Sequence, residues 1–325
     1  MPDVTVTELD DRTVQITLPL PWALDHVHCY ALDDGDGWTI VDSGLGTSAT
    51  LAWWESALEQ LGRPRVSRLL ITHYHPDHIG SSAGLAELTG AGEVVQGTLD
   101  RRLSVEGWEV DDQEEFAAYL EAHGMPSDEA RRSAEAEGLT AVRLAEPTLL
   151  VDEGDVIELG GERWTVLVLP GHADGHIALL GERSGRLIGG DVLLEEITPN
   201  VGRWPDTAAD PLGRYLQTLD RIAGLSPSLV LPGHGPLISD AARRAREIAG
   251  HHDDRLDAAQ VALLEGAETP FEVGRLIWRE PLGFHEQRFA LVEAISHLER
   301  LAGLGRAEEL RPGRWRAHPR ALSAS

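Results

Sequence analysis

Between residues 69 and 80 the chain reads LLITHYHPDHIG, so His73, His75, Asp77 and His78 crowd into six positions directly after an apolar run. Four nitrogen and oxygen donors held that closely are what a metal ion requires. A purification tag would lie at a terminus, and this stretch does not. Three distant positions share its local grammar of strand, small residue and donor: His172 in LPGHADGH, Asp191 in IGGDVLL and His234 in LPGHGP. The glycines let the backbone turn sharply and approach a ligand. Seven donors exceed what one four-coordinate ion uses, so two ions are expected. His73, His75 and His172 would surround one, Asp77, His78 and His234 the other, and Asp191 would bridge them. Imidazole and carboxylate without thiolate favour Zn²⁺ and are compatible with Mn²⁺ or Fe. Such a pair, about 3.5–4 Å apart, would hold a bridging hydroxide as nucleophile, because a zinc-bound water ionises near pH ~7. Asp77 and Asp191 are the residues expected to take part in catalysis.

Elements must carry these donors to one place. Residues 68–72 read as a short strand and residues 80–85 as the opening of a helix, which sets the cluster at a strand's carboxyl end, where α/β enzymes hold ligands. Further strands are predicted within residues 4–20, 26–32, 37–45, 148–172, 176–194 and 228–236, and helices over 51–61 and 211–225. Two groups of strands, each followed by helices, predict two sheets packed face to face with helices outside. Residues 100–137 are helical in pattern and strongly acidic, as an insertion would be. After residue 240 the texture changes to three helices (241–264, 269–278, 289–305) and a hairpin (306–318), which suits a winged-helix-like module. The expected organisation is a catalytic domain over 1–240, with the insertion at about 100–140, and a second domain over 241–325.

Length and composition narrow the class. At 325 residues the chain fits one domain plus a smaller one, and it has no run of eighteen apolar residues and no charged-then-apolar leader. A cytoplasmic protein with no membrane partner is expected. The single cysteine, Cys29, excludes an internal disulfide and reads as a small buried hydrophobe. All 28 basic residues are arginine, and the net charge is −26. Residues 241–325 balance at 13 Arg against 13 Asp plus Glu, so residues 1–240 carry the whole excess. Nucleic acid should avoid such a surface, since phosphate contacts need clustered cations. One feature runs the other way: residues 301–325 hold five Arg against two Glu.

The sequence THYHPDH, with His172, Asp191 and His234 following in order, resembles the signature of the metallo-β-lactamase superfamily over roughly residues 10–240. That resemblance implies a four-layer αβ/βα sandwich with the metals at one edge of the sheets. It also implies that Asp42, in VDSG, supports the ligand loop from behind without touching metal. His75 stands where the flavo-diiron branch has Glu, which argues against oxygen reduction at a di-iron centre. The C-terminal module is similar to that of the subgroup containing the mitochondrial single-strand endoribonuclease. The expected function is hydrolysis of a small ester, thioester, lactone or phosphodiester at a dinuclear zinc centre, by a metal-bridging hydroxide. Single-strand RNA cleavage is the alternative, and mononuclear-iron oxidation, needing only the first three histidines, stands behind it. A non-catalytic reading makes the C-terminal module a DNA-binding or homodimer contact.

Other residues invite weaker readings. His26 and His28 alternate on one strand, so both face the same side and are candidate substrate contacts; His176, four residues after His172, is a candidate supporting partner. His251, His252, Asp253 and Asp254 look like a further metal site, but adjacent helical positions do not face one another, and a solvated helix is expected. Trp204, in ITPNVGRWPD, is expected on a pocket-edge loop, packed on substrate or on protein.

Overall fold

The computed structural model describes residues 3–108, 113–138, 142–278 and 283–318. The chain divides into two units, one of residues 1–110, 140–199 and 222–244, the other of residues 111–139, 200–221 and 245–325.

Two sheets build the first unit. Strands β1 (Thr5–Asp10), β2 (Thr13–Pro19), β3 (His26–Asp33), β4 (Trp38–Val41), β5 (Val66–Ile71), β6 (Glu93–Gly97) and β7 (Leu149–Val151) lie side by side in that order. The first four pair antiparallel and the last four parallel. The second sheet has the order β12 (Leu229–Pro232), β11 (Arg186–Gly190), β10 (Ile177–Gly181), β9 (Glu162–Val168), β8 (Val156–Leu159), with only β11 and β12 parallel. The two-residue period of a strand explains the layers. On β3, Tyr30 and Leu32 enter a core shared with Val41, Leu70, Val95 and Val151 of the first sheet and with Trp164, Val166, Leu179, Ile188 and Leu231 of the second. Their neighbours Val27, Cys29 and Ala31 point the other way, onto Trp54, Ala57 and Leu58 of helix α1 (Ser48–Gln60) and Leu85 of α3 (Ser82–Thr89). Thr47 caps α1 by accepting from the Thr50 amide. Each such fully buried aliphatic side chain contributes about 1.5–3 kcal/mol. The short helix α2 (Pro76–Ile79) lies between β5 and α3, and α4 (Thr98–Trp108) follows β6. The αβ sandwich is thus present as expected.

The second unit contains α5 (Gln113–Ala122), α6 (Ser127–Gly138), most of α7 (Pro211–Leu225) and of α8 (Ala241–Leu264), α9 (Pro270–Ile277), α10 (Phe284–Gly303), and the hairpin β13 (Ala307–Arg311) with β14 (Arg314–Ala317). The three helices and hairpin expected after residue 240 are found. At α9 the sequence TPFE forms a capping box, Thr269 and Glu272 each answering the other's backbone amide, with Pro270 in the first turn. The acidic insertion departs from expectation, since residues 111–139 group with the C-terminal residues rather than with the sheets. Its few apolar side chains explain why: Leu120, Met125 and Ala130 share a core with Phe271, Leu291, Val292 and Ile295. Trp204 packs on protein, its ring against Phe116 and Phe289 with centroids 5.8 and 5.5 Å away. Among the described residues no helix is long and apolar enough to cross a membrane.

Candidate metal centre

All seven predicted donors meet at the carboxyl ends of strands in the first unit. The loop after β5 and the first turn of α2 carry His73, His75, Asp77 and His78; His172 follows β9, Asp191 follows β11 and His234 follows β12. Pro76 stops the strand and starts the helix, so Asp77 and His78 project from its first turn. Donor atoms of His73, His75 and His172, of Asp77, His78 and His234, and of His73, His78 and Asp191 lie within 4.8 Å of one another in each group. Every group takes two donors from the loop of the first sheet and one from the second.

The separations suit a shared ion better than hydrogen bonds. His73 Nε2 and His75 Nδ1 are 3.1 Å apart, His234 Nε2 is 3.3 Å from Asp77 and 3.2 Å from Asp191, and His78 Nε2 is 3.3 Å from Asp191. Ligands about 2.0–2.1 Å from a tetrahedral ion stand roughly 3.3 Å from each other. His78 Nε2, His234 Nε2 and Asp191 Oδ1 are buried with no hydrogen-bond partner among the described residues. Buried polar atoms normally have one, so these residues fit a cation.

The opposite ring nitrogens are fixed from behind. His78 Nδ1 donates to Asp42 at 2.8 Å, and Asp42 also accepts from the amide and hydroxyl of Thr72. Thr72 Oγ1 in turn faces His73 Nδ1 at 3.0 Å. Asp42 reaches both partners from a left-handed backbone, φ 62°, a conformation aspartate tolerates better than most residues. His234 Nδ1 donates to the His26 carbonyl at 2.6 Å. His26 and His28 both hold this loop: His26 Nε2 accepts from the Gly235 amide at 3.0 Å, and His28 Nε2 donates to the Gly235 carbonyl at 2.9 Å. His176 accepts from the Asp191 amide at 3.1 Å and stacks on His73.

The electrostatics divide the site. Burial, with His172 adding to it, drives His75 down to about 3, so its lone pair is free at neutral pH. Burial alone would lower His234 too, but Asp191 and Asp77 pull it up to about 10. Burial likewise opposes ionisation of Asp77, and His78 and His234 overcome it, holding the carboxyl down to about 2. The Asp77 and Asp191 side demands positive charge.

Thr72, Ser43 and Asp100 are not singled out by sequence. Thr72 stands where the other strand-end donors are preceded by Gly171, Gly190 and Gly233, and that exception is the available signal. The amide and hydroxyl of Ser43 both donate to the His78 carbonyl. Asp100 is fully buried beside Gln96, and burial pushes its carboxyl up to about 8. An unfolded aspartate loses its proton near 3.8, so between about 4 and 8 the native protein holds the extra proton and stability falls as pH rises. Asp100→Asn should remove that slope: its melting temperature relative to wild type is expected to climb between pH 5 and pH 8. A constant difference across that range would refute the buried, protonated acid.

Comparison with known proteins agrees with this geometry. A family profile described as metallo-beta-lactamase superfamily matches residues 22–234. A probable metallo-hydrolase of Bacillus subtilis, YqjP, is 29% identical over 304 residues, covering 89% of this chain and 92% of that one. An atrochrysone carboxyl ACP thioesterase of Aspergillus fumigatus is 24% identical over 256 residues, 76% of this chain and 62% of that one. The crystal structure of a metallo-beta-lactamase family protein from Thermus thermophilus superposes with a TM-score of 0.84 at 32% identity, covering 96% of this chain and 100% of that chain. Strand-end donors, the sandwich that gathers them and a matching profile across both sheets thus lead to one assignment: the chain belongs to the metallo-beta-lactamase superfamily and is an enzyme of the metallo-hydrolase type.

Proposed function

We propose that the enzyme hydrolyses a small ester or thioester at a dinuclear zinc centre. The observation that carries this reading is the position of Asp191, whose carboxylate lies 3.3 Å from His78, 3.2 Å from His234 and 3.6 Å from His172. It therefore touches donors of both triplets, which favours two ions over a single iron. His73, His75 and His172 would hold one ion and Asp77, His78 and His234 a second, with Asp191 a ligand available to both. Bound zinc supplies a hydroxide at neutral pH and polarises the scissile carbonyl. The protein's own part is positioning: Asp42, Thr72 and the His26 carbonyl fix three imidazoles so that each presents one nitrogen inward. The thioester preference draws on the likeness to the fungal ACP thioesterase; lactones and phosphodiesters are the neighbouring possibilities.

In this reading the C-terminal helices and hairpin form a winged-helix-like module, and single-stranded RNA is a poor substrate. Three of the arginines that argue for RNA are paired with carboxylates: Arg306 with Asp257, Arg314 with Glu268 and Arg316 with Glu308. The test is turnover of zinc-loaded protein on ester, thioester, lactone, phosphodiester and single-stranded RNA substrates at physiological salt. Zinc-dependent turnover of an acyl substrate is expected. Turnover of RNA with none of the acyl compounds would replace this proposal with the nuclease.

A further inference from the structure

The second unit contains a cluster that lies outside the centre described above and that the sequence pattern conceals. His252 is fully buried rather than solvated. It belongs to the apolar stripe of α8, in register with Ala245, Ile248, Leu256 and Ala259, all buried. Across from it α10 presents Glu293 and His297, four residues apart and so on one face. His297 is fully buried and Glu293 is 8% exposed.

We propose that His252, Glu293 and His297 form a separate site for a divalent cation of the zinc type. Donor atoms of the three lie within 4.8 Å of one another. His252 Nδ1 and His297 Nε2 are 3.3 Å apart, the spacing of two ligands about 2.0–2.1 Å from a tetrahedral ion. His297 is set as a ligating histidine usually is, its Nδ1 donating to a backbone carbonyl, that of Glu293, at 2.7 Å and its Nε2 turned to the cluster. Asn200 Nδ2 donates to Glu293 Oε2 at 3.0 Å and orients the carboxylate.

The facing nitrogens are His252 Nδ1 and His297 Nε2, and with His297 Nδ1 donating to the Glu293 carbonyl, His297 Nε2 turns its lone pair to the cluster. Glu293 has the neutral Asn200 amide as its hydrogen-bond partner and faces the two imidazoles across the cluster. The nearby cation Arg255 donates to the Ile277 carbonyl at 2.9 Å, with its guanidinium 5.0 Å from the Trp278 ring centroid. Two neutral imidazoles and one carboxylate are a donor set that zinc accepts, with water in the fourth position.

The test is zinc bound per chain after stripping the full-length protein with chelator and dialysing it against Zn²⁺. Wild type should hold one equivalent more than Glu293→Gln and one more than His297→Phe. All three proteins keep the seven-donor centre, so the difference reads this site whatever that centre binds. Equal zinc content in folded wild type and variants would overturn the proposal. If the variants do not fold, zinc-soaked wild-type crystals decide it at the zinc absorption edge. An anomalous peak beside His297 Nε2 is expected, and none there would overturn the assignment.

Discussion

Asp191→Asn is expected to lower turnover by on the order of 10²–10³, the loss that follows removal of one comparable electrostatic element from an active site. The amide keeps the side chain's volume but drops its charge and one good metal-binding oxygen. Asp191 faces three imidazoles from three separate loops. Under the dinuclear reading proposed above, two cations would repel more strongly without its charge. Folding should suffer far less, because the carboxylate lies outside the apolar core shared by the sheets. His251→Ala is the control: His251 is half-buried on α8, its Nε2 3.4 Å from Arg255 Nε, and its loss should leave rate and metal content near wild type. Kinetics, metal content and thermal melting on all three proteins form the comparison. Wild-type turnover and metal content in Asp191→Asn, or equal damage in His251→Ala, would show the site to be wrongly assigned.

Gly233→Ala should be nearly as damaging although it removes no donor. A β-carbon on Gly233 would lie 2.2 Å from Asp191 Oδ1 and 2.7 Å from His78 Cε1. The backbone there cannot easily retreat, since the Gly233 amide donates to the Gly190 carbonyl at 2.8 Å and its own carbonyl accepts from the His28 amide at 2.7 Å. The carboxylate and the imidazole must yield instead. Misplacement of about 1 Å in a reacting geometry costs on the order of 10² in rate, so a similar drop is expected, accompanied by loss of bound metal. Gly250→Ala, on α8 where an added β-carbon meets nothing within 4 Å, should be harmless or raise the melting temperature. Full activity and metal content in Gly233→Ala would mean that Asp191 does not need its observed position.

The donors are legible because chemistry leaves a local signature: a small residue at a strand end followed by a ligand, as in Gly190 before Asp191 and Gly233 before His234. The layers are legible for a similar reason, since alternation along β3 separates Tyr30 and Leu32 from Val27, Cys29 and Ala31. What cannot be read this way depends on pairing between distant segments. Residues 148–172 read as consecutive strands, yet β7 closes one sheet and β8 opens the other. The insertion reads as part of the first domain because its acidic surface dominates its composition, while Leu120 and Met125 decide where it packs. His252 is masked because its neighbours His251, Asp253 and Asp254 are polar; its place four residues from both Ile248 and Leu256 is the better guide.

Each donor group combines two residues from the first sheet's loop with one from the second sheet, and this has a consequence for the order of folding. Residues 73 and 78 are near neighbours in the chain, whereas 172, 191 and 234 lie about a hundred or more positions farther on. Contacts of such long range form late, because the chain entropy they consume must be overcome before they contribute. The loop after β5 by itself completes none of the groups, so a chain with only its first sheet formed presents no finished ligand sphere. Capture of an ion at full coordination is thereby reserved for molecules in which both sheets have come together.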